Sequence, residues 1–180
     1  MKLETERLIL RPIAESDVML LHPLIDDPDV AAAMLSTPHP YPEHEFRSFT
    51  KKALEAVQRG ERYEMVIVPK ETGLLIGAIR LFNISREHLR SEIGYWLGKP
   101  YWGRGYMTEA VTRMLDLGFT DLGLESIHAY CFIRNPASIR VLEKVGFTQE
   151  GYIRHAVRKD GEFLDVRLLG MIREDYLSRK

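Results

Sequence analysis

Hydrophobic positions along this chain switch between a period of two and a period near 3.6. Arg7 to Ile13 alternates weakly and is rich in β-favouring residues, which predicts a first strand closed by Pro12 and the polar run Ala14–Asp17. Val18, Leu21 and Ile25 follow at helical spacing, with Ser16 or Asp17 as the cap, and Asp26–Asp29 with Pro28 breaks that helix. Three prolines make Thr37–Pro42 a loop. From Glu43 to Arg59, Phe46, Phe49, Ala53 and Val57 share one stripe, so a second helix runs to Gly60. These helices precede most of the sheet, so they and their loop are free to wall a substrate site.

From Glu61 the period is two. Arg62–Val68 and Leu74–Phe82 read as a hairpin around Lys70–Gly73, and Arg90–Leu97 as a third strand of the group. A helix follows, with Met107, Ala110, Val111, Met114, Leu115 and Leu122 inward and Gly123 just past its end. Ser126–Ile133 is a strand. Pro136 opens another helix, with Ile139, Leu142 and Val145 inward and Gly146 at its close. Phe147–Arg158 and Phe163–Ile172 form a last hairpin around Asp160-Gly161. The predicted order is β-α-α-β-β-β-α-β-α-β-β, a mixed α/β sheet of about seven strands covered by about four helices. The unit from residue 90 to 133 predicts a right-handed crossover between parallel neighbours. Ligands of such sheets bind at the carboxyl ends of strands. No repeat, low-complexity run or linker divides residues 1–180, so one domain is expected.

Composition narrows the partners. The formal net charge is −1, which gives no global reason to expect nucleic acid or an anionic membrane. Cys131 is the only cysteine, so there is no intrachain disulfide framework, and a reducing compartment is compatible. The N-terminus lacks the apolar core of a signal peptide, and no window approaches the roughly 20 apolar residues of a membrane span. The expectation is a cytoplasmic protein with no membrane association. The histidines are scattered without metal-ligand spacing, so no metal is expected.

The chemistry concentrates in Tyr95–Glu109, Y-W-L-G-K-P-Y-W-G-R-G-Y-M-T-E. It leaves a strand, turns, and opens a long helix. Gly103 and Gly105 let backbone approach a ligand closely. The first amides of the helix have no intrahelical partners and sit at the positive end of its dipole, a site for phosphate or pyrophosphate. A Walker A loop needs Lys and then Ser/Thr after its second glycine, where Tyr106 and Met107 stand. A dinucleotide fingerprint needs a third glycine where Thr108 stands. Both are excluded.

The element order, the loop W-G-R-G-Y-M-T-E-A and the segment N-P-A-S-I-R-V-L-E-K-V-G-F (Asn135 to Phe147) resemble the GNAT superfamily of acetyl-CoA-dependent N-acetyltransferases. The opening T-E-R-L-I-L-R-P, S-E-I-G-Y-W-L (Ser91 to Leu97) and F-T-Q-E-G-Y (Phe147 to Tyr152) are similar to its ribosomal-protein N-terminal acetyltransferase branch, of RimJ/RimL type. The resemblance runs from about Leu3 to Tyr176. It implies a mixed, mostly antiparallel sheet and an acetyl-CoA cosubstrate. The family's loop pattern is Gln/Arg-x-x-Gly-x-Gly/Ala; Trp102 and Met107 depart from it, and Gly105 fits. The resemblance implies that amides from Trp102 through Gly103, Arg104, Gly105, Tyr106 and Met107 to Thr108 hold the pyrophosphate. It further implies that backbone of Trp96 and Leu97 pairs with the pantetheine arm, and that Asn135 touches that arm from the other side. Arg104 and Arg140 are within the range of CoA phosphates or are ordinary surface arginines.

Acetyl transfer needs a neutral amine, a donor for the thioester oxygen, and a proton for the departing thiolate. A strand amide near Trp96–Leu97 suits the oxygen. The family's tyrosine acid falls at Leu142, which rules it out there. Ser138 matches the branch's serine and either donates to sulfur or bonds backbone at a helix start. Glu92 matches a frequent glutamate of the superfamily and faces the side of Trp96 by period two; it is either a base or a structural carboxylate. The branch's other glutamate falls at Val157. His128 is either packing or a hydrogen-bonding residue. Cys131 lies mid-strand with no activating base, so direct transfer is expected rather than a cysteinyl intermediate. The acceptor expected is a primary amine, foremost the N-terminal α-amine of a ribosomal or other protein. A polyamine or antibiotic amine, and a non-catalytic acyl-CoA-binding module, stay open. Homodimers are common in the resembled branch.

Overall fold

Period-two alternation is fulfilled by one eight-stranded sheet in the order β1-β2-β3-β4-β5-β6-β8-β7. The computed structural model describes residues 1–180. Its strands are β1 (Leu3–Glu4), β2 (Leu8–Pro12), β3 (Tyr63–Pro69), β4 (Gly77–Ser85), β5 (Arg90–Leu97), β6 (Ser126–Phe132), β7 (Thr148–Lys159) and β8 (Glu162–Ile172). Its helices are α1 (Val18–Ile25), α2 (Pro28–Ala33), α3 (Glu43–Gln58), α4 (Tyr106–Asp116), α5 (Pro136–Val145) and α6 (Arg173–Ser178). Every neighbouring pair is antiparallel except β5–β6, the pair joined through α4. The mixed, mostly antiparallel α/β fold is therefore present.

The counts exceed the expected seven strands and four helices because three elements are too short to show a period. β1 has two residues. α2 has six, and Pro28, read as a breaker, is instead its first residue. Asp27 caps it: its carboxylate accepts from Asp29 N at 2.8 Å and Val30 N at 3.2 Å. α6 has six residues, of which only Tyr176 is buried. The last hairpin is also threaded differently from chain order. β8 pairs with β6, and β7 lies outermost.

Two cores sandwich the sheet. One face carries α4 and α5 through Met107, Ala110, Val111, Met114, Leu115, Ile139 and Leu142. The other carries α1, α2 and α3 through Val18, Leu21, Ile25, Val30 and Phe46. β5 feeds both: Ile93 and Leu97 enter the first core, Trp96 the second. Leu142 is fully buried in the first, so it contributes about 1.5–3 kcal/mol of burial rather than chemistry.

The start of α1 is held by a charge. Asp17, 4% exposed, receives Arg11 Nη1 and Nη2 at 2.8 Å each and Ala14 N at 2.8 Å. Burial pushes its carboxyl up, but the hydrogen bonds from Arg11 and Ala14 outweigh that and hold it below the ordinary value. Because the folded pKa is depressed, this stabilisation is full above about pH 4 and is lost as pH falls through the lower folded value. Asp17→Asn should cost about 2–3 kcal/mol, near the low end for a broken buried pair because Arg11 is partly exposed. Urea melts of both forms at pH 7 and pH 3 check this: the difference should shrink at pH 3.

A candidate acetyl-transfer site between diverging strands

β5 and β6 pair only through Arg90↔Ser126, Ser91↔Ile127 and Glu92↔His128. Beyond Glu92 they part, and β5 continues to Leu97 without β6 beside it. The edge so exposed has a definite polarity. Gly98 N donates to Ile76 O at 2.9 Å across β4, and Trp96 sits opposite Ala78. Successive peptide groups alternate in direction, so Trp96 spends its N–H and C=O on β4, whereas Tyr95 and Leu97 turn theirs into the gap. Of the expected pair Trp96 and Leu97, the main chain turned into the gap is Leu97's, together with Tyr95's; the Leu97 carbonyl is taken by the Trp102 indole and its N–H is left. The gap opens into a cleft of about 700 Å³.

One wall is the glycine loop. After a short 3₁₀ turn at Lys99–Tyr101, Gly103 has φ +72° and Gly105, at the cap of α4, has φ +78°. The first α4 backbone bond from this cap is Glu109 N to Gly105 O at 3.2 Å. The amides of Tyr106, Met107 and Thr108 precede it and are left without helical partners at the positive end of the dipole. Trp102, Gly103, Arg104, Gly105, Tyr106, Met107 and Thr108 all line the cleft. The Trp102 indole N–H donates to Leu97 O at 2.8 Å, which ties the loop to the free strand edge. The N-terminal segment fastens the loop from behind: Arg7 donates through Nη1 to Arg104 O at 3.0 Å and through Nε to Glu109 Oε2 at 2.7 Å. Burial pushes the Glu109 carboxyl up, but hydrogen bonds from Thr5 and Arg7 hold it below its ordinary value.

The opposite wall is the start of α5. Asn135 is its cap: Oδ1 accepts from Ser138 N at 3.2 Å, and Nδ2 donates to Ala33 O at 3.2 Å. Both ends of this amide are therefore engaged, and Asn135 joins α5 to the end of α2. Ser138 Oγ makes no backbone cap. It lies 2.9 Å from the Tyr95 hydroxyl and 3.2 Å from Cys131 Sγ, and Tyr95 Oη also donates to Ser138 O at 3.2 Å. Burial pushes the Tyr95 hydroxyl and the Cys131 thiol up, so both stay protonated at neutral pH. Sequence reasoning passed over Tyr95. Period two places it opposite Trp96, on the α5 face, and that spacing was the available signal.

Glu92 lies on the other face of β5 and lines the cleft. Its Oε1 accepts from Asn83 Nδ2 at 2.9 Å. His128 is drawn to Glu150, with Nε2 3.2 Å from Oε2, and does not reach the cleft. Val157 packs beside Phe132, Leu164 and Val166. The α2 end and the loop after it cover this face through Val30, Ala33, Met34, Leu35 and Ser36. Lys159, from the final hairpin, fastens that cover by donating to the carbonyls of Ala31, Met34 at 2.7 Å and Thr37 at 2.9 Å. Thus the final hairpin is bound to the segment that walls this face. No group of three or more His, Cys, Asp or Glu side chains gathers as metal ligands, and no helix is long and apolar enough to cross a membrane.

An uncharacterized N-acetyltransferase of Bacillus licheniformis is 33% identical over 174 residues, covering 97% of each chain. The crystal structure of a ribosomal-protein-S5-alanine acetyltransferase from Vibrio fischeri superposes with a TM-score of 0.86 at 25% identity, covering 98% of each chain. A spermidine N-acetyltransferase of Vibrio cholerae, solved with CoA and spermine, shares the fold with a TM-score of 0.84 at 23% identity, over 96% of this chain and 99% of that one. The acetyltransferase (GNAT) domain itself matches residues 7–148, from the strand that fastens the loop to the start of β7. The diverging strands and the helix start they feed are thus those of an acetyl-CoA-dependent N-acetyltransferase, and the chain belongs to the GNAT family.

Proposed function

We propose that this chain moves the acetyl group of acetyl-CoA directly onto the N-terminal α-amine of a protein, in the manner of the ribosomal-protein alanine acetyltransferases. The observation that carries the donor half is the main chain of Tyr95 and the N–H of Leu97, turned into the gap beside the unpaired α4 amides. These groups fit an extended amide-bearing arm ending in a pyrophosphate, with the arm taken as an added strand and the phosphates at the helix start. Arg104, Arg140 and Lys144 line the same cleft and supply positive charge. Asn135 holds α5 against α2 and lines the cleft, where its remaining amide hydrogen is available to the arm.

Acetyl-CoA supplies the activated acyl carbon. The Leu97 N–H is the donor for the oxygen that gains charge. The amine attacks from the Trp96 face, where Glu92, held by Asn83, takes its proton through water. Ser138, held by the Tyr95 hydroxyl 2.9 Å away, gives a proton to the departing sulfur and recovers one from solvent. A protonated Cys131 fits transfer within a ternary complex, without a cysteinyl intermediate.

The acceptor assignment rests on modest base strength. A peptide α-amine titrates near 8 and a lysine side chain near 10.4, so the former is far more often neutral at pH 7. Likeness to the ribosomal-protein-S5-alanine acetyltransferase supports the same choice. Thiol release from acetyl-CoA with peptide α-amines, spermidine and aminoglycosides is the test. Turnover should be greatest with alanyl peptides. Preference for spermidine would move the assignment to polyamines, and CoA binding without any turnover would make the chain a binding module.

A further inference from the structure

Beneath the acceptor face lies a cluster of charges that nothing above uses. Glu64 of β3, Arg80 of β4 and Gly94 of β5 stand side by side in register on that face. Glu64 is 4% exposed, and its Oε2 has no hydrogen-bond partner. Arg62 Nε lies 2.9 Å from that oxygen, close enough for attraction, but the N–H is too misaligned to complete a bond. Arg80 Nε is likewise buried without a partner. The Arg80 guanidinium lies over the Phe82 ring, 4.9 Å from its centroid, and 5.7 Å from that of Phe49. Glycine at residue 94 leaves room for this position: a Cβ there would come within 3.1 Å of Arg80 Nε and press the side chain aside.

Two cations thus face one carboxylate, and a guanidinium that offers five donors leaves its fork uncompleted. Arg80 lines both the main cleft and a smaller cavity of about 60 Å³, which also meets Glu64. With Nε covered, the far end of the fork is what the side chain presents to these spaces. Gly94 is two residues before Trp96, and Arg80 Nε lies over it, beside the β5 backbone that leads into the gap. An oxygen acceptor in the cleft would complete the fork.

Resting on the acceptor reading above, we infer that Arg80 is a specificity-determining residue that hydrogen-bonds the carbonyl oxygen one carbon from the accepting amine, and so selects α-aminoacyl acceptors. A peptide N-terminus and a free amino acid share this carbonyl. A polyamine lacks it and would place further ammonium groups beside a cation.

The test compares an alanyl peptide, alanine amide, free alanine and spermidine as acceptors for the wild type, Arg80→Gln and Arg80→Lys. A charge-assisted bond of this kind corresponds to a factor of about 10 to 100. Arg80→Gln should raise KM for the peptide and for alanine amide by about that factor, with KM for acetyl-CoA unmoved, and should lower their kcat/KM relative to spermidine. Calorimetric titration of the peptide into CoA-saturated protein should show the same loss of affinity. Arg80→Lys, which keeps the charge without the fork, should recover part of it. Free alanine losing more than the amide would identify a carboxylate as the natural partner, and equal losses a peptide carbonyl; either supports the role. Unchanged discrimination in a folded Arg80→Gln protein overturns it while leaving the acetyltransferase reading intact. Failure of the wild type to acetylate any amine would overturn both.

Discussion

Replacing Gly105 with valine is expected to weaken acetyl-CoA binding by about 100-fold, the largest single loss of donor affinity in the chain. Gly105 caps α4 at φ +78°, where a β-branched residue pays about 1–2 kcal/mol or shifts the backbone. A shift would turn the first α4 amides away from the anion they face, and each charge-assisted bond lost is worth about 1.5–3 kcal/mol. At 1.4 kcal/mol per tenfold, two units of affinity follow from even a partial loss. Stability should suffer less: a 1–2 kcal/mol change moves the melting midpoint by about 2–8 °C in a chain of this size. Gly103→Ala is the control. Its Cβ would meet nothing within 4 Å, so only the strain of φ +72° applies, about 1 kcal/mol. Calorimetric titration with CoA and thermal melts of the two variants separate the effects. Equal affinities for Gly105→Val and wild type would remove the helix start as the anion site.

The second large effect is expected in turnover. Ser138→Ala should lower kcat about 100-fold with little change in KM for acetyl-CoA, the usual scale of a lost proton donor. Tyr95→Phe should lower kcat by a smaller factor, because the Tyr95 hydroxyl 2.9 Å from Ser138 Oγ positions that donor. The double variant should be no slower than the slower single one, since both changes act on the same hydrogen-bonded donor. Steady-state thiol release at saturating acceptor measures all three. Multiplying losses would mean two independent donors, and unchanged turnover in Ser138→Ala would pass the role to water.

The legible parts were those written in local periodicity. Strand and helix stripes from Glu43 to Gly146 lie close to where alternation and 3.6-residue spacing predict, except that β4 runs Gly77–Ser85 and not Leu74–Phe82, and glycine spacing before Tyr106 marks the helix start where the amides stand free. What stayed hidden depends on contacts between distant residues. Tyr95 meets Ser138 only when β5 and β6 diverge and α5 closes the gap. Asn135 could be matched to a motif, but only the fold shows that Ala33 and Ser138 are its partners. Lys159 binding the carbonyls before the Thr37–Pro42 loop spans more than 120 positions of chain. α2 was missed for another reason: a proline that ends one helix also begins the next.

The central claim is that coenzyme A lies along the free edge of β5 with its pyrophosphate on the start of α4. Amide chemical-shift mapping of ¹⁵N-labelled protein titrated with CoA tests it most directly. The predicted result is a continuous track of perturbed amides at Tyr95, Leu97 and Gly103 to Thr108, with the β1–β2 end of the sheet unmoved. No perturbation at millimolar CoA, or perturbation confined to residues away from the β5–β6 gap, would contradict it.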